Sequence, residues 1–183
     1  LGFILFARNI DNPQQVKGLT DSLKTLTGRD NLPILIDQEG GRVARLVPPH
    51  WRVWPPALDF AHAYAQSPER GRAAAVCNYQ ALALDLAALG ISVNCAPVLD
   101  VPEPGAHDII GDRAFGAEPA MVAELGAALL EGFALSGVVG VVKHIPGHVR
   151  ALADSHEALP RVTASIEALN RGLAPFKALA HAP

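Results

Sequence analysis

The 183-residue sequence has little cysteine, no concentrated charge and no uninterrupted apolar span, and each shortage removes a class of protein. Cys77 and Cys95 are too few for a disulfide framework. With Cys95 inside an apolar run, both are expected to be reduced thiols, which favours a cytoplasmic setting. The formal net charge is −3 and the basic residues are scattered. That leaves no electrostatic footprint for nucleic acid or an anionic membrane surface, so neither is expected as a partner. The most apolar stretch, residues 120–142, carries Glu124 and Glu131 and is broken by glycines, so it does not read as a membrane span. No signal peptide is visible. That absence carries no weight, because the chain opens on "LGFILFARNI" without methionine and stops on "LAHAP" after a helical pattern, as an internal fragment would. No glycine-rich dinucleotide or P-loop turn follows any apolar run, and no cofactor is expected.

What remains is a half-apolar chain, long enough to bury a core and suited to a small neutral or polar ligand. Strand and helix patterns alternate along it. "GFILFA" (2–7), "LPILID" (32–37), "ISVNCAPVLD" (91–100) and "VVGVVKHI" (138–145) are short apolar runs of the kind buried on both faces of a sheet. Between the first two, Asn12 and Pro13 open a helix with Val16, Leu19, Leu23 and Leu26 at helical spacing, and Gly28 suits its end. Further helices are expected over residues 67–90, from 119 onward, and over 163–179. After the second strand comes a long Gly, Arg, Pro and Trp segment read as a functional loop. Four strands joined by helical crossovers imply a parallel α/β sheet. Asp37, Asp100 and the Lys143–His144 pair all fall at C-terminal strand ends, the face where (β/α) barrels build their sites. Half of such a barrel is expected, as one domain over residues 1–183.

Three clusters carry possible chemistry. In "KHIPGHVRALADSH" the spacing of His144 and His148 would suit a zinc-binding helix. Pro146 and Gly147 oppose a helix there and no glutamate adjoins His144, so a metal site is not expected. Asp154 and His156, two residues apart, can pair so that the carboxylate orients the imidazole for proton transfer. A solvated turn in which Asp154 caps local backbone is the plainer alternative, and the triplet alone leaves both open. The preceding Lys143 points to a polar cavity, because an ammonium is not left at a buried strand end without one. In "DQEGGRVARL", Asp37 ends a strand, Gly40 and Gly41 permit a sharp turn, and Arg42 and Arg45 return cations toward the same mouth. Either a surface ion pair or hydroxyl binding fits that pattern. Arg113, between Gly111 and Gly116, reads the same way. Trp51 and Trp54 invite sugar stacking, but loop residues packed against the barrel edge are the expectation, and Cys95 is expected as a small core residue.

Taken in order, "ILFARNI", "LIDQEGGRVARL", "NCAPVLDV", "IIGDRAFG" and "KHIPGHVRALADSHEALP" resemble glycoside hydrolase family 3, and within it the bacterial β-N-acetylhexosaminidases. The resemblance runs collinearly through the chain. It implies a (β/α)8 barrel seen from its second strand to the helix after its fifth. It also implies His156 as the general acid/base in a dyad with Asp154, and Asp37, Arg45, Arg113, Lys143 and His144 as ligands of the hydroxyls of a terminal N-acetylglucosamine. The substrate implied is a muropeptide or related glycan, cleaved with retention during cytoplasmic peptidoglycan recycling. A β-glucosidase of the same family and a noncatalytic carbohydrate-binding remnant are the alternatives, and the "KHIPGH" to "ADSH" loop favours the hexosaminidase. Two departures stand out. Val149 replaces the glycine usual after "PGH", which bears on the loop's shape. The family's nucleophilic aspartate, in a Ser-Asp-Asp context on the seventh strand, has no matching segment, and Asp100 matches a different position. The chain as given is therefore expected to bind sugar poorly and to lack the covalent step.

Overall fold

The computed structural model describes residues 2–102, 110–147 and 164–182. Strands β1 (Phe3–Leu5), β2 (Ile34–Ile36), β3 (Val93–Asn94) and β4 (Val139–Gly140) form one parallel sheet in that spatial order. Phe3 pairs with Ile34, Leu35 with Val93, and Val93 with Val139. The connections carry helices α1 (Pro13–Thr27), α2 (Ala57–Gln66), α3 (Pro68–Ala88) and α4 (Pro119–Ala134), and α5 (Ile166–Ala178) follows β4. This is the parallel α/β architecture expected from the alternation. One expectation needs correction: the segment between β2 and α3 is not all loop. Ala57, Phe60 and Ala61 are buried, and they fold residues 57–66 into α2, which packs on α3.

Local chemistry sets the element ends. Asn12 accepts a hydrogen bond from the Gln15 N–H at 2.9 Å, Pro13 occupies the first turn, and Gly28 closes α1 in the left-handed conformation. The strands are shorter than the apolar runs suggest. Pro97 has no N–H for the ladder, so pairing beyond Asn94 lapses and returns only where Val98 meets Lys143. The gap frees backbone at the C-terminal ends of the strands, where the chain turns to form a mouth.

The core lies between sheet and helices. Ile34, Ile36, Leu82, Leu86, Leu99 and Leu125 are fully buried within it. Tyr79 at its centre meets Phe60, Phe115 and Phe133 at ring separations of 5.3, 6.5 and 5.9 Å. Helices α3 and α4 approach closely because residue 132 is glycine; a Cβ there would stand 2.7 Å from the Val76 carbonyl oxygen and 2.8 Å from the Gln80 nitrogen. Burial of each large apolar side chain contributes about 1.5–3 kcal/mol, so this helix-facing layer supplies most of the driving force.

The outer strands are less well covered. Phe3 and Ile4 on β1, and Val139 with the following Val141 on the β4 side, are all exposed. Each of these strands also presents unpaired backbone at its outer edge among the described residues. The 183-residue polypeptide, produced alone, is therefore expected to self-associate. Light scattering coupled to size exclusion checks this, and a monomer with a sharp cooperative melt would contradict it. Among the described residues, no helix is long and apolar enough to cross a membrane.

Candidate active site

Two buried amides build the floor of the mouth. The Asn94 side chain accepts from the Gln38 N–H at 3.0 Å and donates to the Gln38 carbonyl at 2.8 Å, replacing the ladder bonds that β2 and β3 no longer make. The Gln38 side chain in turn accepts from the backbone N–H groups of Arg45 and Leu46 at 2.8 and 2.9 Å and donates to the Leu46 carbonyl at 3.1 Å. Asn94 and Gln38 are almost wholly buried, where satisfied amides specify one geometry. They fold residues 37–46 back so that Asp37, Glu39 and Arg45 meet at the strand ends.

Lys143 enters from the neighbouring strand end, fixed by its N–H to the Pro97 carbonyl at 3.1 Å and its carbonyl to the Leu99 N–H at 2.7 Å. Its ammonium donates to Asp37 Oδ1 at 2.8 Å and also pairs with Glu39 Oε1. Arg45 lies 3.6 Å from the other oxygen of Asp37. Arg113, from the 3-10 turn Gly111–Arg113, grips Glu39 with two N–H groups, Nε to Oε2 and Nη2 to Oε1, both at 2.8 Å. Burial works against the Arg113 charge, but the hydrogen bond and charge of Glu39, helped by Asp100 and Asp37, outweigh it and hold the guanidinium above its ordinary pKa.

His144 completes the cluster. Asp100, with no exposed surface, lies 2.7 Å from its Nδ1 and accepts from its backbone N–H at 3.2 Å. Nε2 is 3.4 Å from Arg113 Nη2. An arginine can only donate, so this contact makes Nε2 the acceptor and Nδ1–H the donor to Asp100. The imidazole thus has a protein partner at each ring nitrogen, which fixes its plane at the mouth.

The structure thus brings Asp37, Arg45, Arg113, Lys143 and His144 into one mouth at the C-terminal ends of β2, β3 and β4. Asp154, His156, His148 and Val149 lie outside the described residues. Among the described residues, no group of three His, Cys, Asp or Glu side chains is arranged to hold a metal ion. Arg42 follows the ion-pair alternative, with Asp112 in place of Asp37: its Nε pairs with Asp112 at 3.1 Å and its Nη2 donates to the Ile110 carbonyl at 2.9 Å, so it ties the Arg113 loop down beside the mouth. Cys95 is not a core residue. It is half-buried, and burial, with Asp37 and Glu39 acting against Lys143, raises its thiol pKa. Trp54 is buried and Trp51 packs partly buried against the core, as the plainer expectation had it. Glu39 and the pairing of Asp100 with His144 go beyond what the motifs alone point to. Both carry a legible signal: Glu39 alternates with Asp37 at a strand end, and an acid in an apolar strand end demands a partner.

The family profile described as the N-terminal domain of glycosyl hydrolase family 3 matches residues 1–183. The chain belongs to glycosyl hydrolase family 3. Within the family it is similar to a β-hexosaminidase of Methylobacillus flagellatus, 40% identical over 159 residues, which covers 87% of this chain and 45% of that protein. It is likewise similar to one of Alkalilimnicola ehrlichii, 39% identical over 180 residues, covering 98% and 51%. Native NagZ from Neisseria gonorrhoeae superposes with a TM-score of 0.89 at 36% identity, over 97% of this chain and 52% of that one. The same Neisseria protein has been solved in complex with N-trifluoroacetyl-D-glucosamine. The chain spans about half the length of these family 3 relatives. With NagZ as neighbour, the four-stranded sheet is part of a TIM-barrel-like family fold.

Proposed function

We propose that residues 1–183 form part of the (β/α)8 catalytic domain of a β-N-acetylhexosaminidase, which releases terminal β-linked N-acetylglucosamine from muropeptides or related glycans in the cytoplasm. The observation that carries this reading is the convergence of Asp37, Arg45, Arg113, Lys143 and His144 at one mouth, in a chain 40% identical to a β-hexosaminidase. The glucosamine analogue bound by the Neisseria relative supports the choice of sugar.

In this scheme Asp37 and Arg45, with Arg113, Lys143 and His144, bind the hydroxyls of the terminal ring. Fixed carboxylates and cations suit a polyol because each can serve one hydroxyl as acceptor or donor without rearranging. His156, oriented by Asp154, protonates the leaving oxygen as imidazolium while a carboxylate attacks the anomeric carbon. It then takes a proton from water as imidazole to release the sugar. That carboxylate belongs to a family segment this chain does not match, so the covalent step is assigned to the complete polypeptide.

The test is hydrolysis of a chromogenic N-acetyl-β-glucosaminide set beside the corresponding β-glucoside, using the complete polypeptide that carries this sequence. Preference for the N-acetyl sugar is expected. Preference for the glucoside would favour a family 3 β-glucosidase, and turnover of neither a carbohydrate-binding role.

A further inference from the structure

Glu39 is among the most enclosed polar side chains of the mouth, at 7% exposure, yet it is not one of the residues assigned to the sugar. Both its oxygens are engaged: Oε2 accepts from Arg113 Nε, while Oε1 accepts from Arg113 Nη2 and pairs with Lys143 Nζ. Its backbone is fixed as firmly. Its N–H donates to the Val43 carbonyl at 2.9 Å, and the next residue, Gly40, sits at φ 98° against the Pro55 carbonyl, where a Cβ would overlap. Glu39 therefore has three of its roughly four acceptor sites filled and little freedom to follow a ligand, but it is placed to hold two groups that do meet one.

The charge balance points the same way. Among the described residues of the mouth, the cations Arg45, Arg113 and Lys143 face the carboxylates of Asp37, Glu39 and Asp100. Three positive charges meet three negative ones. Without Glu39 this described cluster would carry net positive charge in a partly desolvated setting, where unmatched charge attracts an anion.

Resting on the glycosidase reading, we infer that Glu39 is a positioning residue: it holds Arg113 and Lys143 in the geometry that takes sugar hydroxyls and, by cancelling their charge, fits the mouth to an uncharged terminal sugar rather than an acidic one. The bidentate grip fixes the plane of the guanidinium, and the Lys143 contact restrains a stem that otherwise has four rotatable bonds.

Glu39→Gln tests this with almost no change of volume: the charge facing Arg113 and Lys143 is lost, and the N–H2 group that replaces one oxygen faces an Arg113 donor in either orientation. Kinetics of the complete polypeptide should show KM for the N-acetylglucosaminide raised about tenfold, with a smaller fall in kcat. Glu39→Asp, which keeps the charge, should recover part of that loss. A substrate analogue with a carboxylate at C6 should gain relative to the neutral sugar in Glu39→Gln and not in Glu39→Asp. A second readout needs no activity: Lys143, released from one of its two carboxylates, should acetylate several-fold faster with acetic anhydride in Glu39→Gln protein of native circular dichroism. If the wild type turns over no hexosaminide but Lys143 labelling accelerates, the substrate assignment fails and the positioning role stands. If labelling and KM are both unchanged in folded Glu39→Gln, the inference is overturned. Should that variant not fold, the same two readouts on Glu39→Asp decide, with unchanged values again overturning it.

Discussion

Replacing His156 with alanine in the complete polypeptide is expected to lower kcat on a hexosaminide by about 10²–10⁴-fold, the usual contribution of a positioned general acid/base. The loss should depend on the leaving group. A nitrophenolate departs without a proton, so the first step suffers little on that substrate and the loss appears in the water-activating step. An alkoxide or sugar leaving group needs the proton, and with it both steps suffer. Asp154→Ala should lower kcat by less than His156→Ala, because it removes the partner and not the proton carrier. Undiminished hydrolysis by the His156→Ala variant on both kinds of substrate would move the acid/base role elsewhere.

The second large effect is on stability. Lys143 is 14% exposed and its ammonium lies between the carboxylates of Asp37 and Glu39. Lys143→Ala leaves those carboxylates facing each other in a partly desolvated site. Breaking a buried pair in this way costs about 3–5 kcal/mol, and the lower end applies because Arg45 still faces Asp37 and Arg113 still grips Glu39. Denaturant unfolding should show a lower midpoint at unchanged slope. A midpoint equal to that of the parent would mean that the ammonium compensates nothing, and the ion network would lose its central member.

How far the sequence discloses this arrangement depends on how local each cause is. The cap and stop of α1 follow from Asn12, Pro13 and Gly28, whose preferences act within one turn of their own backbone. The parallel sheet follows from apolar runs separated by helical spacing, and Asp37, Arg45, Arg113, Lys143 and His144 all stand in motifs at strand ends or in adjoining loops. Helix α2 was hidden in a segment rich in proline and tryptophan, because its buried face, with Ala57, Phe60 and Ala61, is short and fixed only by packing on α3. The partnerships were less legible still. Glu39 meets Arg113 across 74 positions and Asp100 meets His144 across 44, and no local pattern reports such a separation. The inverse holds for Arg42: beside Arg45 it looked like a second cation for the mouth, yet a shift of three residues on a turning loop sends it to Asp112. Cys95 likewise sits in an apolar run, but the two flanking strand ends bring Asp37 and Lys143 close enough to act on its thiol.

A crystal structure of the complete polypeptide soaked with N-acetylglucosamine bears most directly on whether these separated side chains serve one ring. The expected density is a single pyranose with its hydroxyls within hydrogen-bond distance of Asp37, Arg113, Lys143 and His144, and with the His156 imidazole at the anomeric oxygen. A sugar bound elsewhere on the barrel, or at this mouth with His156 turned away from the anomeric carbon, would contradict the account.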